Sequence, residues 1–257
     1  MTVDDTTPAE LRSTLNPTQI RRRRDWRDGG RTVKRWDESL LAIALVILGL
    51  TLLVAAAIRS FSAGAVAPIV ANMVVLVGML VAVAIAFLRA KPRPLLRWRA
   101  VDVFYGLGAG LALRVVQGWL AVAAGEDGAF PSYSTVRQSV GDPWLLSDIG
   151  SLLLFAPVIE ELFFRGVLLV TAYSVVRRMA GRVPAMMVAV TLSTAAYVGA
   201  HAWTTGVSWE AWATPLIIGV VSAALVFVTG RIWGAVVLHF VMNVTFVALA
   251  LIGTYWS

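Results

Sequence analysis

Apolar residues in this chain come in long runs, not in alternation with polar ones. Runs over about 40–58, 66–88, 101–124, 184–203, 213–228 and 232–255 each predict a helix. At ~1.5 Å per residue, about 20 such residues cross a hydrocarbon layer ~30 Å thick. A longer segment, about 145–176, is interrupted by Pro157, which removes a backbone donor and predicts a kink or a short lead-in helix there. Strands of a membrane barrel would show short segments of alternating polarity, and the sequence shows none. The pattern predicts an all-α, polytopic transmembrane helix bundle of about seven spans.

The segments between the runs are basic or turn-forming. Residues 1–37 contain Pro8, Pro17 and a cluster from Arg21 to Arg35, and read as a basic, largely disordered cytoplasmic tail. Its end would lie on anionic lipids, with Trp26 and Trp36 as interfacial anchors. The transmembrane helical domain is then 38–257. Arg89, Lys91, Arg93, Arg97 and Arg99 form one basic loop, and Arg177, Arg178 and Arg182 form another. The positive-inside rule places both in the cytoplasm. Residues 125–147 are almost free of positive charge and read as an external loop, and the segment through Trp209 and Trp212 reads as interfacial. Within the third run, Arg114 is expensive in lipid and should face the bundle interior or snorkel to an interface. The amino terminus is expected inside and the membrane is expected to be the plasma membrane. No cleavable signal peptide is expected, because the first apolar run begins some forty residues in.

Composition agrees with this pattern and narrows the chemistry. With 58% hydrophobic and 14% charged residues the chain is too apolar for an ordinary soluble domain. A net charge of +7 would raise the question of nucleic acid in a soluble protein. Here the charges flank the spans, so they read as topology signals and no nucleic-acid partner is expected. There is no cysteine, which removes disulfides, thiolate nucleophiles and Cys-ligated zinc.

Two of the chain's six glutamates, Glu160 and Glu161, sit side by side inside an apolar run. Carboxylates in a bilayer are costly and mark functional sites by default. Arg165 lies four residues after Glu161, on the same helical face, so it can pair with Glu161 while Glu160 points about 100° away. That leaves Glu160 as a proton acceptor in a low dielectric, as a general base requires. The two histidines of the chain repeat the four-residue spacing, as Tyr197 to His201 and as His239 to Asn243. If the three faces converge, they enclose groups able to deprotonate and hold a water and to donate hydrogen bonds to an oxyanion. His201, His239 and a glutamate could also bind a divalent metal such as zinc. Taken singly, each residue has a structural reading: an ion pair locking two helices, a hydrogen-bonded bundle histidine, or an asparagine joining helices.

Together the three segments resemble the CAAX protease and bacteriocin-processing family, which includes Rce1-like prenyl-protein endopeptidases. The pattern is a double glutamate with arginine four beyond the second, an aromatic residue four before a histidine, and a histidine four before an asparagine. Here these are Glu160, Glu161 and Arg165; Tyr197 and His201; His239 and Asn243. Tyr197 stands where the family more often has phenylalanine. Phe164 and Gly166, and the turn from Gly230 to Trp233, are also similar. The resemblance covers about 145–245, the expected protease-like core. It implies an intramembrane endopeptidase with its site inside the bundle, Glu160 acting as base on water, His201 orienting that water, and His239 with Asn243 as oxyanion site. It implies a peptide or protein substrate at the membrane, with lipidated substrates among the candidates. No cofactor is expected, with a divalent metal as the alternative to a metal-free mechanism. A non-catalytic role as bacteriocin immunity factor or membrane scaffold is the competing reading of the same fold, and a proton-coupled transporter is the third.

Counting residues from the basic turns sets His201 near the external end of its span and His239 nearer the internal end. Tilt, a late start of the fifth span, or a partly re-entrant segment around Trp203–Trp212 must bring them together.

Overall fold

The computed structural model describes residues 25–30, 33–62, 66–125, 155–205 and 209–256. Helices α1 (Glu38–Phe61), α2 (Val66–Arg89) and α3 (Ala100–Ala123) come first. Then α4 (Ala156–Glu161), a π-helical segment (Leu162–Leu168) and α5 (Leu169–Ala180) form one interrupted run. Helices α6 (Arg182–Thr205), α7 (Trp209–Thr229) and α8 (Trp233–Trp256) complete the bundle. Six of these, α1 to α3 and α6 to α8, are long and apolar enough to cross a membrane. The seventh expected crossing corresponds to the run from Ala156 to Ala180. Large apolar side chains such as Leu53, Phe104, Trp119 and Met187 stand exposed around the bundle. That many exposed apolar groups on long apolar helices are solvated by lipid, so the chain is an integral membrane protein.

Within the described run, the departure from α geometry falls after Pro157. Pro157 sits in the first turn of α4, where its missing N–H would have no intrahelical partner. The departure from α geometry comes five residues later, in the π segment, and is tied down from outside: the Ser193 hydroxyl of α6 donates to the Phe164 carbonyl at 2.8 Å. The expected lead-in at 145–154 and the 126–147 part of the expected external loop lie outside the described residues. Trp209 and Trp212, expected in an interfacial connection, belong to the first turn of α7 and are exposed.

The tail expected to be disordered as far as residue 37 is ordered over 25–30 and 33–37, and it packs on the bundle. Trp26 and Trp36 are fully buried, not anchored at an interface. Their indole N–H groups donate to the Gly230 and Ala86 carbonyls, at 3.1 and 3.0 Å. Arg27 adds bonds to the Phe227 and Val228 carbonyls. Phe227 and Val228 lie in the last turn of α7, where carbonyls lack an intrahelical donor, and Gly230 follows it; Ala86, in the last turn of α2, also accepts from the Ala90 amide, so the segment caps α7 and ties down the end of α2. Asp37 caps α1 through the Leu40 amide. The Ser39 hydroxyl, then that amide, then Arg89 hold the Asp37 carboxyl below the usual carboxylate range.

One stripe of α3, with Asp102, Gly106, Gly110, Arg114 and Gly118 at four-residue intervals, is buried against α8. A Cβ on Gly106 would lie 2.5 Å from Val237 Cβ and 2.7 Å from the Gly234 carbonyl; one on Gly110 would lie 2.8 Å from Val241. Small residues thus let the two backbones approach. Polar groups secure both ends. Asp102 is fully buried and holds Arg231 through its Nε and Nη2. Arg114 faces the interior, as one of its two expected placements, with bonds to Thr245, Gln117 and the Met242 carbonyl. Gly106→Leu should force α3 off α8 and cost about 1–3 kcal/mol, seen as a lower unfolding temperature in detergent. Gly108→Leu, whose Cβ meets nothing within 4 Å, should not.

Candidate active site

Glu160 is the penultimate residue of α4, two residues before the π segment, with His201 arriving from α6 and His239 from α8. Glu160 Oε2 lies 3.6 Å from His201 Nε2 and 3.8 Å from His239 Nε2. His201 and His239, expected at different depths from residue counting, both reach Glu160. At the turn before α8, Gly230 and Ile232 are buried; the Gly230 carbonyl accepts from the Trp26 indole and the Leu95 carbonyl accepts from the Ile232 amide.

The two glutamates are placed differently. Glu161 is fully buried and receives Arg165 Nη1 at 3.1 Å and His239 Nδ1 at 3.1 Å, both on Oε1. Glu160 keeps 14% side-chain exposure, and its Oε2 is within hydrogen-bond reach of no donor among the described residues. Arg165 is fully buried, with its guanidinium carbon 4.3 Å above the Tyr197 ring. A cation over an aromatic face is stabilised by the ring quadrupole. The Tyr197 ring lies against both imidazoles, with centroids 4.2 Å from His201 and 6.0 Å from His239.

The Nδ1 atoms fix the tautomers by their partners. His201 Nδ1 lies 2.9 Å from the Tyr197 carbonyl, which only accepts, so Nδ1 carries the proton. His239 Nδ1 likewise donates to the Glu161 carboxylate. Both Nε2 atoms therefore turn toward Glu160. Asn243 lies one turn after His239 on α8, on the same face and partly buried.

The seven residues singled out in the sequence thus lie on three neighbouring elements, and Glu160, Glu161, Arg165, Tyr197, His201 and His239 form one contiguous contact set. Sequence reading missed Ser193, which continues the four-residue series to Tyr197 and His201 and fixes the π segment. Among the described residues, no group of three or more His, Cys, Asp or Glu side chains is arranged to hold a metal ion.

Residues 142–245 match the family model described as type II CAAX prenyl endopeptidase Rce1-like. No curated protein matches the chain, and no solved structure does.

Proposed function

From the match of residues 142–245 to the Rce1-like family model, we propose that this membrane protein is an endopeptidase that hydrolyses a peptide bond with a water activated by Glu160. One observation carries the reading: a buried carboxylate oxygen faces two imidazole Nε2 atoms at 3.6 and 3.8 Å. Those separations are too long for direct hydrogen bonds, yet each is one that a water about 2.8 Å from both atoms can bridge.

Such a water donates one proton to Glu160 and the other to an imidazole Nε2. As it attacks, Glu160 takes its proton and the oxygen bonds to the peptide carbonyl carbon. His239, protonated at both nitrogens and backed by Glu161, donates from Nε2 to the oxyanion, with the Asn243 carboxamide beside it. Glu160 then returns the proton to the departing nitrogen as the C–N bond breaks, leaving a carboxylic acid and an amine. Arg165 holds Glu161, and through it the His239 ring; Tyr197 packs between the two imidazoles and over Arg165.

The basic ends of the helices support an orientation as well. Arg89, Arg99, Arg177, Arg178, Arg182 and Arg231 gather at the end that carries residues 25–37, and Arg59 lies at the other. By the positive-inside rule the basic end faces the cytoplasm, in the plasma membrane of the cell. The substrate is a peptide or protein segment entering from the bilayer, lipidated segments included.

The test uses the full chain in liposomes with membrane-anchored reporter peptides and mass analysis of the products. Wild type should make an internal cut, and His201→Gln should slow it by about 10²-fold or more with little change in unfolding temperature. Cleavage unaffected by His201→Gln would contradict the assignment.

A further inference from the structure

At the basic end of the bundle, the ordered amino-terminal segment and the turn between α5 and α6 enclose a pocket of about 650 Å³. Lys34, Arg177, Arg178 and Arg182 line it, with no acidic side chain among its described lining residues. One of these cations, Arg178, has a carboxylate neighbour in Glu38, 3.9 Å away. Four cations around one concavity repel each other unless an anion joins them.

Two further features point to a ligand. Ser174 is among the lining residues and 8% exposed, and its buried hydroxyl has no hydrogen-bond partner among the described residues. A buried hydroxyl without a partner is costly, and an oxygen-rich anion would satisfy it. Gly29 lies at φ +76°, and a Cβ there would sit 2.8 Å from Arg177 Nη1. Glycine at this position thus leaves room for the guanidinium at the pocket wall.

We propose that this pocket binds a phosphate group, supplied by the headgroup of an anionic phospholipid. Planar guanidinium groups match phosphate oxygens in pairs, with the Ser174 hydroxyl donating to a third oxygen. The position favours a lipid source: the pocket lies at the helix ends, beside the ends of α1 and α5, where headgroups meet the protein. The volume accommodates a phosphodiester with its glycerol. A bound headgroup would join Trp26–Gly30 and Val33–Lys34 to the α5–α6 turn and reinforce the segment that caps α7. The site is separate from Glu160 and does not depend on the proposed peptidase activity.

Retention of lipid is measured by native mass spectrometry of the full chain extracted from phosphatidylcholine bilayers containing phosphatidylglycerol. Unfolding temperature is followed as either lipid, or inorganic phosphate, is added back. Wild type should retain phosphatidylglycerol and be stabilised by it more than by phosphatidylcholine. Arg177→Gln with Arg182→Gln should weaken that binding about thirtyfold, from the contribution of two headgroup-facing charges. Arg93→Gln with Arg97→Gln, at the same end but outside the pocket, should leave it unchanged. Should the pocket pair fail to fold, Lys34→Gln, at an exposed position, carries the same comparison with a smaller loss. Equal retention by wild type and pocket variants, or equal loss in the Arg93 and Arg97 control, would overturn the site. Equal stabilisation by inorganic phosphate at the same concentration would overturn the lipid source.

Discussion

Arg165→Ala is expected to be among the most destabilising single substitutions in this protein. Arg165 and Glu161 are both fully buried, 3.1 Å apart, in the middle of an apolar run. Removing the arginine leaves the Glu161 carboxylate, among the described residues, with the His239 Nδ1–H alone, inside a low dielectric. Breaking a buried pair by deleting one partner typically costs about 3–5 kcal/mol, because the other charge is stranded. It also removes the cation packed on Tyr197. Thermal and denaturant unfolding in detergent should both register the loss. The double variant Glu161→Gln with Arg165→Ala removes the stranded charge and should recover much of the stability. An Arg165→Ala protein as stable as wild type would mean that the pair is not structural.

Glu160→Gln should do the reverse, ending activity while sparing the fold. The amide keeps the shape of the side chain but cannot take a proton from water. General base catalysis typically contributes about 10²–10⁴-fold in rate, and the same group also serves as acid to the leaving nitrogen. Peptide cleavage in liposomes should therefore fall by at least that factor. Glu160 Oε2 is buried without a hydrogen bond among the described residues, so neutralising it costs no native bond. The unfolding temperature should be unchanged or raised.

The contrast between the two glutamates was legible in the sequence, because a four-residue offset from Arg165 selects Glu161 and leaves Glu160 on another face. The helix bundle was equally legible, since each crossing is written as an apolar run. The π segment was not: which carbonyl an amide pairs with over 162–168 is decided by packing, including the Ser193 hydroxyl of another helix. Nor was the burial of Trp26 and Trp36 legible. Their surroundings are arginines and aspartates, and nothing local shows that the indole N–H groups answer helix-end carbonyls 204 and 50 residues away. The same holds for Asp102 and Arg231, 129 residues apart. Each looks like a loop charge, and only the approach of α3 to α8 through Gly106 and Gly110 makes them a buried pair. Local periodicity thus marked the candidate residues, and long-range polar contacts decide how the helices that carry them pack together.

The most direct test of one water held by Glu160 and both histidines is a double-mutant cycle on the rate of reporter-peptide cleavage. Wild type, Glu160→Gln, His239→Gln and the double variant would be compared in liposomes, each first shown to be folded. Groups that act as a unit on one water should lose activity non-additively, so the double variant should be nearly as active as the slower single variant. Losses that multiply, or undiminished cleavage by folded Glu160→Gln, would contradict a Glu160-activated water.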